Sequence, residues 1–226
     1  MPRVAYQSAL DSLREDVLYM SELVVDRFRL ALTALEQKDE ALARDVIDGD
    51  DEINELYLEL ESDCVDLIAL QQPVASDLRF IAASFKILTD LERVGDLAAN
   101  LADYSLTADH DVFPEVDIQT IGTVVGEMVE DAMVAYAEGD TALCYALAER
   151  DNTVDERCVE ASETVVSELL RRDDLSATAD FDDEQLLADV SRLLLTVRDL
   201  ERVGDHAANI AARTVYMVEN DADLLY

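Results

Sequence analysis

The chain has 226 residues, half of them hydrophobic, yet only 6 % aromatic, with no Trp, six Gly and three Pro. This composition excludes a many-turned β architecture and an acidic disordered chain, and it reads as helical. Against 52 Asp and Glu stand 17 Lys and Arg, a net charge of −35, which excludes nucleic acid as a partner for want of a basic patch and points to a saline, halophile-like cytoplasm that screens the self-repulsion.

Taken in chain order, the apolar periodicity predicts helices over roughly 8–37, 39–70 and 76–107, then 115–138, 140–171 and 183–219. The first break is "QKD"; the second is "QQPVASD", where Pro73 stops one helix and Ser76 or Asp77 is placed to cap the next. Later breaks fall at "EGD" and at the polar "RRDDLSATADFDDEQ" of 171–185, and nothing reads as a strand. The N-terminus lacks the apolar run of a signal peptide, and nowhere do ~18 apolar residues run together, so the expectation is a soluble, cytoplasmic protein with no membrane span. Cys64, Cys144 and Cys158 form no CxxC pair and read as reduced packing residues.

The heptapeptide "DLERVGD" occurs at 90–96 and again at 199–205. Extended to "DLERVGDLAANLA" and "DLERVGDHAANIA", the two stretches agree at 11 of 13 positions. Upstream, "KDEALARDVIDGDDEIN" aligns with "GDTALCYALAERDNTVD", with Asp39 over Asp140 and Asp50 over Asp151. An offset of 101 there becomes 109 at the heptapeptides, so the second copy carries eight extra residues, assigned to 171–185. The expected fold is all-α: two tandem, similar three-helix bundles with six long helices, one repeat over 1–110 and the other over 111–226.

On a helical projection, Leu91, Val94, Ala98 and Leu101 fall within ~80° and form the core face, while Glu92, Asp96 and Asn100 lie away from it. Gly95, Ala99 and Ala102 sit between, where a neighbouring element can approach closely. The stripe has local costs: a like-charge i,i+4 pair disfavours a helix by ~0.2–0.5 kcal/mol and a mid-helix glycine by ~1 kcal/mol. Both recur at Glu201, Asp205 and Gly204. A cation would give them a purpose, because carboxylates one turn apart present oxygens to a hard or borderline metal. The second helix of each repeat supplies further donors at Asp50 and Asn54, and at Asp151 and Asp155. If helices two and three are neighbours, two clusters result. In a chain this acidic, solvated carboxylate pairs also arise by chance, and Arg93 and Arg202 offer ion-pair neutralisation instead.

The two 13-residue stretches, "QQPVASDLRFI" at 71–81 and "VIDGDDEINELYLELE" at 46–61 together resemble the PhoU family of phosphate-transport regulators, over about residues 10–219 and in the family's order. The resemblance implies two similar three-helix bundles and E/D-x-x-x-D motifs that hold surface iron or zinc clusters in some members. Matched residue by residue, these motifs give Asp50, Glu92 and Asp96 in one bundle and Asp151, Asp155, Glu201 and Asp205 in the other; Asn54 departs from the expected carboxylate. The implied role is negative regulation of phosphate uptake by contact with the phosphate ABC transporter's ATPase and, in bacteria, with a membrane histidine kinase. A homodimer is the expected assembly.

Two rival readings remain. A metal-free helical adaptor has the same fold and leaves the repeated stripe without a task. A carboxylate-bridged di-metal enzyme usually needs Glu-x-x-His motifs, and neither His110 nor His206 has a Glu three residues before it. No nucleophilic constellation can be assembled, and no Gly-rich loop or Arg cluster is available to hold phosphate itself. The expectation is therefore a regulator rather than an enzyme.

Overall fold

The computed structural model describes residues 3–71, 73–107, 116–173 and 183–225. It consists of α1 (Arg3–Gln37), α2 (Glu40–Asp48), α3 (Asp50–Gln71), α4 (Ala75–Thr107), α5 (Ile118–Glu138), α6 (Thr141–Asp173) and α7 (Asp183–Glu219), followed by a short 3-10 turn at Asp223–Leu225. Among the described residues there is no strand, and no helix is long and apolar enough to cross a membrane. His110 and residues 174–182 of the expected insertion at 171–185 lie outside the described residues.

The helix starts follow local chemistry. Asp39 Oδ1 accepts from the backbone N–H groups of Ala41 and Leu42, and Asp140 Oδ1 accepts from that of Leu143. The two aligned aspartates thus cap the second helix of their repeats, each supplying one of the acceptors a helix start lacks. Gly139, which ends α5, has a φ of 69°, a left-handed position that glycine occupies without Cβ strain.

Two expectations need correction. The helix read over 39–70 is interrupted at Gly49, where the Arg27 guanidinium occupies the space a Cβ would fill and its Nη1 donates to the Asp45 carbonyl at 3.1 Å. That carbonyl is the one the Gly49 N–H also uses, at 3.1 Å, so the inserted arginine divides the helix into α2 and α3. Ser76 and Asp77 do not cap the next helix, because α4 already begins at Ala75, with the Leu78 N–H bonded to the Val74 carbonyl. Asp77 instead sits in the first turn, where the helix dipole favours a negative charge.

The helices α1, α3 and α4 pack together as one bundle and α5, α6 and α7 as the other, with α4 on α7 and α1 on α5 forming the seam between them. Asp90 meets His206 while Tyr104 meets Asp199, so α4 and α7 run antiparallel. The core face read from the sequence is buried as expected: Leu91, Val94, Ala98 and Leu101 on α4, and Leu200, Val203, Ala207 and Ile210 on α7. Each such Leu or Val contributes ~1.5–3 kcal/mol by leaving water. Across the seam, buried Tyr136 stacks on Phe80 with ring centroids 6.3 Å apart, and its hydroxyl lies 2.7 Å from Ser84 Oγ. The three cysteines are buried free thiols.

Candidate metal centre

The second bundle brings its candidate residues together. Asp151 and Asp155 stand one turn apart on α6, and α7 packs beside them carrying Glu201 and Asp205. One carboxylate oxygen each from Asp151, Asp155 and Asp205 lies within 4.8 Å of the others, the sole group of three or more potential ligands to converge so among the described residues. Glu201 stands beside them: after burial and the Asp155 and Asp205 charges, its own charge adds to raising the Asp151 pKa, and burial followed by the Asp155 charge raises that of Glu201. The close fit depends on Gly204, since a Cβ there would lie 3.2 Å from Asp151 Oδ1 and 3.5 Å from Val154 Cγ1. The matching Gly95 faces Ile53 at 3.2 Å and Asp50 Oδ1 at 3.8 Å. The mid-helix glycines therefore admit side chains of the neighbouring helix.

These carboxylates are in an unfavourable state without a counter-charge. Asp151 Oδ1 and Asp155 Oδ1 are buried with no hydrogen-bond partner, a situation that normally costs ~1–3 kcal/mol for each group. Burial, and then the charges of Asp155, Asp205 and Glu201, push the Asp151 carboxyl up to about 6. Burial also raises Glu201 and Asp205, each further raised by Asp155. Orphaned carboxylate oxygens on α6 that converge with Asp205 of α7 fit a cation, and an all-oxygen donor set suits a hard or borderline ion better than a thiolate-seeking one. An open groove of about 470 Å³ adjoins the cluster, lined by Asp151, Asp205, Arg202, His206, Asn209 and Leu224 among others.

The first bundle places Asp50, Asn54, Glu92 and Asp96 on the corresponding turns of α3 and α4, with a different internal arrangement. The Asn54 Nδ2 donates to Asp50 Oδ2 at 2.9 Å. Arg93 pairs with Asp96 Oδ2 at 2.8 Å and approaches Glu92 Oε2 at 3.4 Å. Asp50 Oδ1 remains buried without a partner, and burial followed by the Asp96 charge raises the Asp50 pKa while Asn54 lowers it. Glu92 is raised by burial and then by Asp96, with Arg93 opposing.

Sequence reasoning missed the polar groups of the seam. Asp199 is fully buried; its Oδ1 accepts from Arg198 Nη2 at 2.9 Å, with Arg202 Nη1 3.6 Å away, and its Oδ2 accepts from the Tyr104 hydroxyl at 2.8 Å. Its counterpart Asp90 faces His206 Nδ1 at 2.9 Å and Asn209 Nδ2 at 3.4 Å. Tyr104, desolvated and bonded to a carboxylate, is pushed up to about 12. The one available signal was the leading Asp of the repeated heptapeptide; its partners lie 95 and 116 residues away.

A family model described as PhoU domain matches residues 17–105 and again 118–214. A phosphate-specific transport system accessory protein PhoU homolog of Pseudomonas aeruginosa is 33 % identical over 216 residues, 94 % of this chain and 85 % of that protein. One from Clostridium acetobutylicum is 32 % identical over 223 residues, 96 % of each. The crystal structure of PhoU from Pseudomonas aeruginosa superposes with a TM-score of 0.87 at 32 % identity, covering 96 % of this chain and all of that one.

Proposed function

The chain belongs to the PhoU family, and on that premise we propose that it is an accessory regulator of phosphate transport that restrains uptake by contact with the phosphate ABC transporter's ATPase. The relatives, named for their role as accessory proteins of that transport system, support the pathway. In a bacterium, a sensor kinase is the further partner that the resemblance implies, and a homodimer is the assembly. The acidity of the chain, −35, supports a saline cytoplasm.

The observation that carries the regulatory site is the convergence of Asp151, Asp155 and Asp205 with two orphaned buried oxygens. These three, with Glu201, would hold iron or another hard or borderline cation, with zinc the second choice because the set offers no nitrogen or sulfur. A bound cation supplies positive charge, which turns mutual repulsion among carboxylates on α6 and α7 into a clamp between them. Asp50, Glu92 and Asp96 form the weaker counterpart, already occupied in part by Arg93. A metal-free adaptor would leave the orphaned oxygens of α6 without a partner.

Deletion of the gene is expected to raise phosphate uptake under phosphate sufficiency, and the purified chain to form a complex with the transporter's ATPase. Uptake that keeps its full response to phosphate after deletion would overturn the regulatory role. Elemental analysis of protein purified without chelator or affinity-tag metal tests the centre separately.

A further inference from the structure

The outer helices carry a second duplicated feature. Leu58 and Val65 of α3 are 61 % and 52 % exposed, and Val159 and Val166 of α6 are 55 % and 47 % exposed. They correspond at the 101-residue offset that also aligns Asp50 with Asp151. Seven residues make two turns to within ~20°, so each pair stands in line along its helix. Ile68 on α3 and Leu170 on α6 prolong the lines by about one turn, while the buried Ile53, Leu60 and Cys64 of α3, and Val154, Cys158 and Val165 of α6, point into the bundles.

Each line begins one turn after the carboxylate stripe, Leu58 following Asn54 and Val159 following Asp155. The seam is made by α4, α7, α1 and α5; α3 packs on the α1–α4 side of it and α6 on the α5–α7 side. Single exposed apolar residues need no explanation. A line of branched side chains kept in register on both outer helices does, because solvation explains neither the residue type nor the repetition.

The flanks define what fits. Exposed Glu55, Glu59 and Asp66 border the line on α3, and exposed Glu156, Glu160 and Glu163 border that on α6. On each helix these carboxylates follow the line along one side, ~40–100° around the axis, and the complement to an apolar line beside an acidic rail is an amphipathic helix with apolar residues at the same spacing and Lys or Arg along one flank. A second copy would bring identical acidic rails, and an anionic membrane surface would be repelled.

We propose that the outer faces of α3 and α6 are two equivalent seats for a cationic amphipathic helix, so that one chain engages two copies of the same partner segment. The proposal rests on reading the protein as one that works by contact, and it specifies the surface and the valency of that contact. A seated helix lies one turn from the carboxylate cluster, close enough for occupancy of the cluster to be felt.

The test uses a synthetic peptide of ~20 residues with leucines at seven-residue spacing and lysines beside them, and a control of identical composition with the leucines distributed around the helix. Calorimetric titration of the full chain, in salt that keeps it folded by circular dichroism, is expected to give two peptides per chain. Leu58→Asp with Val65→Asp should leave one, Val159→Asp with Val166→Asp should leave one, and all four should leave none. Added aspartate strengthens attraction for a cationic peptide, so lost binding reports the apolar line. Serine at the same four positions gives the same reading if an aspartate variant fails to fold.

Equal binding of the control peptide, or two peptides still bound to the fourfold variant, overturns the proposal. A dimer in sedimentation that the same variants dissociate overturns it in favour of a second copy. Binding to phosphatidylglycerol vesicles that the variants abolish overturns it in favour of a membrane. Two seats found in a protein whose deletion leaves phosphate uptake unchanged would remove the transporter role and leave the seats standing.

Discussion

In the first bundle Arg93 pairs directly with Glu92 and Asp96, whereas in the second the matching Arg202 approaches Asp199 and acts on Asp205 only as a nearby charge. Both arginines belong to the same heptapeptide, so the difference comes from outside it. Asn54 stands where the second repeat has Asp155, giving the first cluster one charge fewer, and its amide already donates to Asp50. At the seam, buried Asp199 is held by Arg198 and Tyr104, while the residue matching Arg198 in the first repeat is Thr89. One motif thus yields a self-neutralised cluster and a frustrated one, the neighbours deciding which. The second cluster therefore has the stronger reason to take up a cation.

The largest effect expected from this contrast is on bound metal. Replacing Glu201 and Asp205 together by Ala should abolish metal at the second cluster, because the two remaining carboxylates cannot supply the ~4 donors or more a cation wants. The same change at Glu92 and Asp96 should remove far less. The metal-free helices should hold or gain slightly, since relieving an i,i+4 repulsion is worth ~0.2–0.5 kcal/mol. Metal stoichiometry and metal-free melting of both variants are the measurements; equal losses would erase the contrast, and unchanged stoichiometry would remove the centre.

Next in size is the seam. Asp199→Ala leaves the Tyr104 hydroxyl without its acceptor and the half-exposed Arg198 guanidinium without its carboxylate, and losing a hydrogen bond to a charged group costs ~1.5–3 kcal/mol. Asp90→Ala should cost ~1 kcal/mol, because its partners His206 and Asn209 remain within reach of water. Denaturant unfolding ranks the two, and the reverse order would show that the seam is not held mainly at Asp199.

A smaller effect is expected from converting one cluster into the other. Asn54→Asp combined with Arg93→Ala gives the first cluster the charge and freedom of the second, and metal affinity there should rise ~10-fold or more. Titration with ferrous iron reads the change, and an unaltered affinity would show that neither residue sets the difference.

The smallest effect is on pH dependence. The Asp151 carboxyl stands at about 6 in the folded chain against an ordinary 3.8, chiefly through burial and then the Asp155 charge. A raised folded value means that the folded chain holds its proton longer than the unfolded one. Metal-free stability should therefore fall as pH rises from ~4 through about 6 and then level off, by ~1–2 kcal/mol once solvent screening is allowed for. Metal affinity should strengthen over the same window as the competing proton leaves. Comparison with Asp151→Asn isolates this from the chain's overall charge, and identical pH curves would show that Asp151 does not titrate high.

The architecture was legible because the apolar period and the repeat carry it: the face through Leu91, Val94, Ala98 and Leu101 could be read from spacing alone, and the aligned Asp39 and Asp140 do the same capping work. The stripe residues were legible as candidates, since Glu92 and Asp96 share a face only if the segment is helical. What escaped was their state. Where Arg202 turns depends on Asp199, which the seam also brings against Tyr104 across 95 residues of chain. The break at Gly49 escaped for a similar reason, because it depends on Arg27 reaching in from α1.

The seam also sets an order of events during synthesis. Every contact that closes the first bundle is complete once α4 has been made, whereas the partners of Ser84, Asp90 and Tyr104 lie 52, 116 and 95 residues further along the chain. Synthesis at ~5–20 residues per second leaves the α4 and α1 flanks of the nascent half-protein waiting for several seconds before α5 and α7 arrive. Through that interval they present apolar surface with unpaired polar groups, shaped to accept an antiparallel helix of closely similar sequence. A neighbouring nascent chain on a polysome carries such a helix in its own α4, so the duplication that builds the seam also offers a half-made chain a surface on which to mispair.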